Sequence, residues 1–258
     1  MFDLSQPWQT GRFAAFDTET TGIDPRSARI IEFGLVIFDN GEVVERFQTL
    51  IHPECLLPPE ITRITGIKDE DLVGKPVFAD LADDLEQRLV AQPLLAYNAD
   101  FDRGMVEGEF RRLGRSIALP VFLDPFPFCY EAFKVAKKTK TAKLVDIAAH
   151  MGIALESAHR ADHDAEAAGR VMLALPSHIA LPASFQDLLA VQAEEARRVA
   201  ERFARFRRGK ESDNSGGFGQ KAGTIELGAA YVYGEETDPV KALFARIPDV
   251  RHTGPSVD

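Results

Sequence analysis

Apolar residues in the first fifty positions occur in short runs that are typical of β-strands. Arg12 to Phe16 is one such run, and Arg29 to Phe38 is rich in Ile, Val, Leu and Phe. An Asn-Gly pair at positions 40 and 41 then predicts a tight turn, after which Glu42 to Ile51 alternates as a returning strand. The pattern predicts three strands in a meander.

After Pro58 the spacing of apolar residues becomes helical. We expect a short helix that opens at Pro59 and a further short strand at Leu94–Tyr97. The longer helices are predicted at Val77–Val90, Phe101–Leu113, Phe126–Ala136, Lys143–Met151 and Asp162–Leu175. A meander followed by strands that alternate with helices predicts an α/β protein, in which helices cover a mixed sheet.

The character of the chain changes after Pro182. Apolar residues from Phe185 to Phe203 recur at helical spacing, which predicts a long amphipathic helix that must bury one face. Residues 211–223 are rich in Ser, Gly and Asn and are expected to be a flexible linker, followed by a short strand and a short helix. We therefore divide the chain into a main domain, residues 1–180, and a C-terminal extension, residues 181–258.

Composition restricts the class of protein further. The chain has 258 residues, of which 45% are hydrophobic and 27% charged, as in ordinary globular proteins. No run approaches the roughly 18 apolar residues of a membrane span, and the first residues do not resemble a secretory signal. Two distant cysteines, Cys55 and Cys129, favour a cytoplasmic protein with free thiols.

The formal net charge of −10 argues at first against a nucleic-acid partner. An acidic metal site, however, adds negative charge that bound cations would offset. Basic residues also cluster locally, most densely between Lys134 and Lys143, where a solvated helix face is the simpler interpretation. Net charge alone does not decide the partner.

Two carboxylates follow the first strand, at Asp17 and Glu19. Side chains two residues apart on a strand point to the same side, so these acids project together from the strand end. Two carboxylates at one point repel each other unless a proton or a cation intervenes. Hard oxygen ligands suit Mg²⁺ or Mn²⁺ rather than zinc.

Two later segments carry further candidate residues, each unremarkable alone. Asn98 is expected to cap a helix that places Asp102 in its first turn, where the helix dipole favours negative charge. His159 precedes Asp164 by five residues, so a loop and a helix start can bring them together. A neutral imidazole can accept a proton from water near neutral pH.

Taken together, the three segments resemble the motifs of the DEDD exonucleases, in the histidine-containing (DEDDh) branch that includes the proofreading epsilon subunit of bacterial DNA polymerase III. The motifs are Asp-x-Glu at Asp17 and Glu19, Asn-Ala-x-Phe-Asp ending at Asp102, and His-x-Ala-x-x-Asp from His159 to Asp164. The resemblance covers about residues 10–176. It implies a ribonuclease-H-like fold with a five-stranded mixed sheet, and a metal-dependent 3′–5′ exonuclease.

The resemblance also implies a role for each residue. Asp17 would bridge two Mg²⁺ or Mn²⁺ ions, Glu19 and Asp164 would complete the first metal site, and Asp102 would hold the second ion. His159 would be the general base. Residues expected to contact the terminal nucleotide are Thr20, Ile67 and Phe101, and possible contacts to the nucleic-acid backbone are Lys137, Lys138, Lys140 and Lys143.

Several positions depart from the family pattern. Thr65 stands where the family often has His, which leaves the contacts to the terminal nucleotide open. Asp162 replaces a usually apolar residue and is interpreted as a helix cap or a surface charge. Asp100 and His163 lie beside motif positions without occupying them, and both are interpreted as structural or solvated.

The sequence thus predicts an enzyme that hydrolyses the terminal phosphodiester of DNA at single-stranded or frayed 3′ ends, in proofreading or repair. A 3′–5′ exoribonuclease is the alternative within the same class, because tolerance of the 2′-hydroxyl is not encoded in these motifs. The alternative from another class is a non-catalytic, polymerase-associated module that binds nucleic acid. The C-terminal extension could attach the protein to a DNA polymerase subunit.

Overall fold

The computed structural model describes residues 2–155 and 159–213, and the side chains of this part as far as residue 206. Its centre is a five-stranded mixed sheet in the order β3-β2-β1-β4-β5. The strands are β1 (Phe13–Thr20), β2 (Ile30–Asp39), β3 (Glu42–Leu50), β4 (Leu94–Leu95) and β5 (Phe122–Leu123). The first three are antiparallel, whereas β4 and β5 run parallel to β1. The predicted meander and mixed sheet are confirmed.

Eight α-helices of the described part surround the sheet. They are α1 (Pro59–Thr65), α2 (Asp69–Leu72), α3 (Phe78–Val90), α4 (Ala99–Arg112), α5 (Phe126–Cys129), α6 (Leu144–Met151), α7 (Ala161–Ala174) and α8 (Phe185–Asp213). One prediction was wrong in detail: the segment predicted as a single helix after Phe126 continues from Tyr130 to Val135 as a π-helix. The two forms differ by one residue in hydrogen-bond register, which apolar spacing does not distinguish.

Each face of the sheet has its own hydrophobic core. Phe16 and Phe33 belong to the face that packs against α3 and α4. Phe13, Ala15 and Phe38 belong to the opposite face, which α7 and α8 cover. Because side chains alternate along β1, Asp17 and Glu19 share the α7 face, whereas Thr18 shares the α4 face.

The predicted amphipathic helix is present as α8, and its apolar stripe joins the core of the α7 face through Phe185, Leu188 and Leu189. The helix extends to Asp213, so it includes the first three residues of the predicted linker. The rest of that linker and the strand and helix predicted after it lie outside the described residues. No described helix is long and apolar enough to cross a membrane.

Candidate active site

The first pair of acids lies at the carboxyl end of β1, just beyond its pairing with the parallel neighbour β4. Across the antiparallel ladder, Asp17 is opposite Gly34 and Glu19 is opposite Glu32. The helix α7 packs over this face of β1 and β2. The sheet therefore brings Asp17 and Glu19 to the start of the helix that carries Asp164.

Asp102 is held from the other face of the sheet. It is buried in the first turn of α4, and its Oδ1 accepts hydrogen bonds from the backbone N–H of Thr18 (2.9 Å) and from the Thr18 hydroxyl (2.7 Å). Since Thr18 separates Asp17 from Glu19 in the chain, these bonds fix Asp102 directly beside the first motif.

The expected N-cap position of this helix is confirmed, but the capping carboxylate comes from elsewhere in the chain. Asn98 occupies the N-cap position, but its backbone is left-handed (φ 67°) and its side chain makes no capping hydrogen bond. The carboxylate of Asp124, which follows β5, instead accepts the N–H groups of Asn98 (2.9 Å) and Ala99 (3.1 Å). A capping group supplied from a neighbouring strand cannot be recognised by local sequence spacing.

The third motif converges as the spacing suggested. The backbone N–H of His159 donates to Oδ2 of Asp164 at 2.9 Å, which closes the loop onto the first turn of α7. Glu19, His159 and Asp164 each offer one ligand atom, and these atoms all lie within 4.8 Å of one another. His159, interpreted from the sequence as a base, thus lies as close to Glu19 as a metal ligand would.

The carboxylates destabilise one another's charged forms. Burial, and then the charges of Asp102 and Asp164, raise the pKa of Asp17 well above its usual value. Burial and the neighbouring acids raise the pKa of Glu19 to about 8. Burial raises the pKa of Asp102 to about 7, although the Thr18 hydrogen bonds oppose this rise. Burial also raises the pKa of Asp164, against the N–H of His159.

This donor set fits divalent cations. Burial and the neighbouring carboxylates raise the pKa of both Asp17 and Glu19, so these two acids repel further negative charge and favour a cation or a proton between them. Clustered carboxylate oxygens of this kind require protons or cations, and hard oxygen ligands favour Mg²⁺ or Mn²⁺. The residues present are therefore suited to hold the metal ions that the motifs imply.

The other predicted residues occupy different environments. Ile67 is buried in a small cluster with Ile31, and the Thr20 hydroxyl donates to the Gly22 carbonyl at 2.6 Å. Phe101 is half-buried in the first turn of α4. The four lysines proposed to contact nucleic acid, Lys137, Lys138, Lys140 and Lys143, are exposed. Asp100 pairs with Arg103 at 2.6 Å, in keeping with a structural role.

Two acids that were not predicted from the sequence support the elements that carry the site. Asp124 holds the start of α4, and Glu32 is fully buried opposite Glu19. The sequence did contain one signal for Glu32, which is a charged residue between apolar residues of a strand. Such a charge requires hydrogen-bonding partners when it is buried.

The fold and the convergence of four carboxylates with a histidine define the class of metal-dependent 3′–5′ exonucleases with a ribonuclease-H-like fold. Residues 14–172 match the RNase_T exonuclease model. The chain belongs to this exonuclease family, and 3′–5′ exonuclease activity is its function.

Relatives agree with this assignment. The DNA polymerase III subunit epsilon of Treponema pallidum is 32% identical over 166 residues, which are 64% of this chain and 77% of that protein. The 3′–5′ exonuclease DinG of Bacillus subtilis is 30% identical over 163 residues, which are 63% of this chain. The matched segment spans only 17% of DinG and 11% of a PolC-type DNA polymerase III from Clostridium perfringens.

Solved structures share the fold. Exonuclease I of E. coli in complex with a dA16 oligonucleotide gives a TM-score of 0.58 at 20% identity, covering 65% of this chain and 41% of that chain. Exonuclease X in complex with 5′ overhanging duplex DNA gives a TM-score of 0.52 at 17% identity, covering 70% of this chain and 98% of that chain.

Proposed function

We propose that this exonuclease acts on DNA, removing nucleotides from single-stranded or frayed 3′ ends as 5′-mononucleotides, in proofreading or repair. The observation that carries the proposal is the meeting of Glu19, His159 and Asp164 within 4.8 Å, beside the partly buried Asp17 and the buried Asp102. The names of the relatives favour DNA, since one is a DNA polymerase subunit and one neighbour holds a DNA oligonucleotide.

We assign the metal ligands to Asp17, Glu19, Asp102 and Asp164, for two Mg²⁺ or Mn²⁺ ions. When bound, a pair of such cations supplies positive charge that stabilises the attacking and leaving oxygens of an in-line displacement. The protein's contribution is to hold the carboxylates in place, which Thr18 does for Asp102 and the His159 N–H does for Asp164.

His159 is proposed to accept the proton from the attacking water. The water oxygen then forms a bond to the terminal phosphorus, and the bond from phosphorus to the 3′-oxygen of the preceding nucleotide breaks. That 3′-oxygen takes a proton from solvent, and the terminal nucleotide leaves with a 5′-phosphate. The exposed position of His159 allows its imidazole to return the proton to solvent.

For the contacts to the substrate, we propose the same residues that the sequence predicted. Thr20, Ile67 and Phe101 are proposed to surround the terminal nucleotide, and the exposed lysines between 137 and 143 to meet the phosphate backbone. We assign the exonuclease domain to residues 1–180 and propose that the extension, residues 181–258, attaches the protein to a DNA polymerase.

The test is digestion of matched DNA and RNA oligonucleotides, single- and double-stranded, with and without Mg²⁺ or Mn²⁺. The proposal expects metal-dependent shortening of DNA from the 3′ end, with mononucleotide product, and a faster rate on single strands. Preferential digestion of RNA would establish the exoribonuclease alternative. Binding without digestion under every condition would establish a non-catalytic module.

A further inference from the structure

Glu32 is a buried acid that the proposed chemistry does not use. It lies on β2 among apolar residues, and its side chain is 0% exposed. A carboxylate in such a place is tolerated only where hydrogen bonds satisfy both of its oxygens. The hydrogen-bond donors to Glu32 therefore indicate the role of its carboxylate.

Two of the three partners belong to the segment that follows His159. Oε1 of Glu32 accepts from Nε of Arg160 (3.0 Å) and from Nε2 of Gln48 (2.6 Å), whereas Oε2 accepts from the backbone N–H of Ala161 (3.3 Å). The carboxylate thus joins the middle of the sheet to the two residues directly after the histidine.

Gly34 strengthens the same connection. It lies two residues after Glu32 on the same face of β2, and a Cβ added there would lie 2.1 Å from the backbone nitrogen of Asp162. The start of α7 therefore touches the strand itself. Glu32 and Gly34 hold consecutive residues of the third motif against one face of β2.

His159 needs such support. Its backbone is left-handed (φ 68°), a conformation that is unfavourable for a residue with a Cβ, and its side chain is exposed. The fixed points around it are its own N–H on Asp164 and the bonds of Arg160 and Ala161 to Glu32.

We propose that Glu32 is a positioning residue for His159: by fixing Arg160 and Ala161, its carboxylate keeps the imidazole beside Glu19 and Asp164. This inference rests on the proposed role of His159 as the base. Outer residues that orient the groups of a metal site typically affect metal affinity or activity roughly 10–100-fold.

The first test compares Glu32→Gln with Glu109→Gln on single-stranded DNA at saturating Mg²⁺. Glu109 is a matched control, because it is 2% exposed and likewise accepts from an arginine (Arg29) and a backbone N–H (Ile30), away from the third motif. We expect Glu32→Gln to lower kcat roughly 10–100-fold with KM within about twofold, and Glu109→Gln to keep kcat within about threefold. Equal losses of kcat in both variants would overturn the proposal.

The second test asks whether Glu32 acts through His159. In a His159→Ala background, Glu32→Gln should change kcat less than about threefold, because the group that it positions is gone. A full, additive loss would overturn the positioning role alone. Wild-type kcat in His159→Ala would overturn the base role, and the positioning role with it.

A third variant guards against misfolding of Glu32→Gln. The Arg160 side chain is 50% exposed, so Arg160→Ala removes one of the three bonds with little effect on the core. Arg160→Ala should also lower kcat in the wild-type background, and it should leave kcat nearly unchanged in the His159→Ala background. Wild-type kcat in Arg160→Ala, together with additive loss in Glu32→Gln, would contradict the proposal.

Discussion

At the scale of single residues, the site is a cluster of acids whose charged forms are destabilised in the folded protein. The pKa of Asp17 is raised by burial first and by the other acids second. Such a residue binds its proton more tightly in the folded than in the unfolded chain, so ionisation at neutral pH opposes folding. Such a site lowers the stability of the metal-free protein, and the same repulsion between its acids favours the binding of cations.

Asp17→Asn should therefore separate activity from stability. Loss of a metal ligand should lower kcat by about a thousandfold or more. In metal-free buffer at pH 8, the same variant should have a higher Tm than the wild type, because one buried charge is removed. Circular dichroism melts in EDTA measure the second effect. A Tm below that of the wild type would show that Asp17 is not under electrostatic strain.

His159 makes a different prediction, which concerns the rate of hydrolysis. At saturating Mg²⁺, His159→Ala should lower kcat roughly 10²–10⁴-fold, because no side chain then accepts the proton of the attacking water. The variant should still bind metal, since its carboxylates are intact. Initial rates and a Mn²⁺ titration measure the two effects, and wild-type kcat in His159→Ala would count against His159 as the base.

At the scale of elements, the contact between β2 and α7 carries the third motif to the first. Gly34 is required there, since a Cβ would meet the backbone of Ala161 and Asp162 within 2.6 Å. Backbone atoms cannot rotate away as a flexible side chain can, so the helix as a whole would have to move.

Gly34→Ala should displace the start of α7 and with it Asp164. We expect a loss of about 1–3 kcal/mol in the free energy of unfolding, the usual cost of overpacking, together with a large fall in kcat. Urea unfolding and initial rates measure the two effects. Gly22→Ala is the control, because its Cβ would meet only Ala28 at 3.7 Å, an ordinary contact distance. Wild-type rate and stability in Gly34→Ala would refute the tight packing.

The elements also show where sequence reasoning succeeds. Asp17 and Glu19 were placed at a strand end because the period of two is local, and His159 was placed near Asp164 because five residues span one loop and one turn. Both inferences need only short-range geometry. The position of Asp102 beside Asp17 and Glu19 was predicted only from the family resemblance, because its partner Thr18 is 84 residues away in the chain.

What the sequence did not reveal depends on contacts between distant elements. Asp124, which follows the strand next to β4, caps α4 in place of the expected Asn98 side chain. The bonds from Glu32 to Arg160 and Ala161 join segments about 128 residues apart. No local pattern encodes such a pairing, although an acid inside an apolar strand indicates that one must exist.

At the scale of the whole molecule, the N-terminal segment is held against the start of α8. The indole N–H of the fully buried Trp8 donates to the Pro182 carbonyl at 2.7 Å, and the Phe185 N–H donates to the Gln6 carbonyl. The helix α8 then continues across the molecule, where Val199 is buried beside Phe126. The extension thus contributes to the hydrophobic core as well as to the surface.

Leu188→Ala should measure that contribution. Leu188 is fully buried in the core of the α7 face, so truncation should cost about 2–5 kcal/mol in the free energy of unfolding. Leu56→Ala is the control, since Leu56 is 82% exposed and its loss should change stability by less than about 0.5 kcal/mol. Equal effects in chemical denaturation would show that α8 does not stabilise the main domain.

The central claim is that distant acids meet to hold divalent cations, and metal-linked thermal unfolding of the whole protein tests it most directly. Glu19 changes from a usual pKa of 4.5 to about 8, and Asp102 from 3.8 to about 7. In metal-free protein, the contribution of these groups to stability is therefore lost as pH rises from about 4 to 8.

Bound cations should restore this stability where the acids are charged. We predict that saturating Mn²⁺ raises the Tm several degrees at pH 8, much less at pH 5, and little at either pH in Asp17→Asn. An equal or absent shift at both pH values in the wild type would contradict the account.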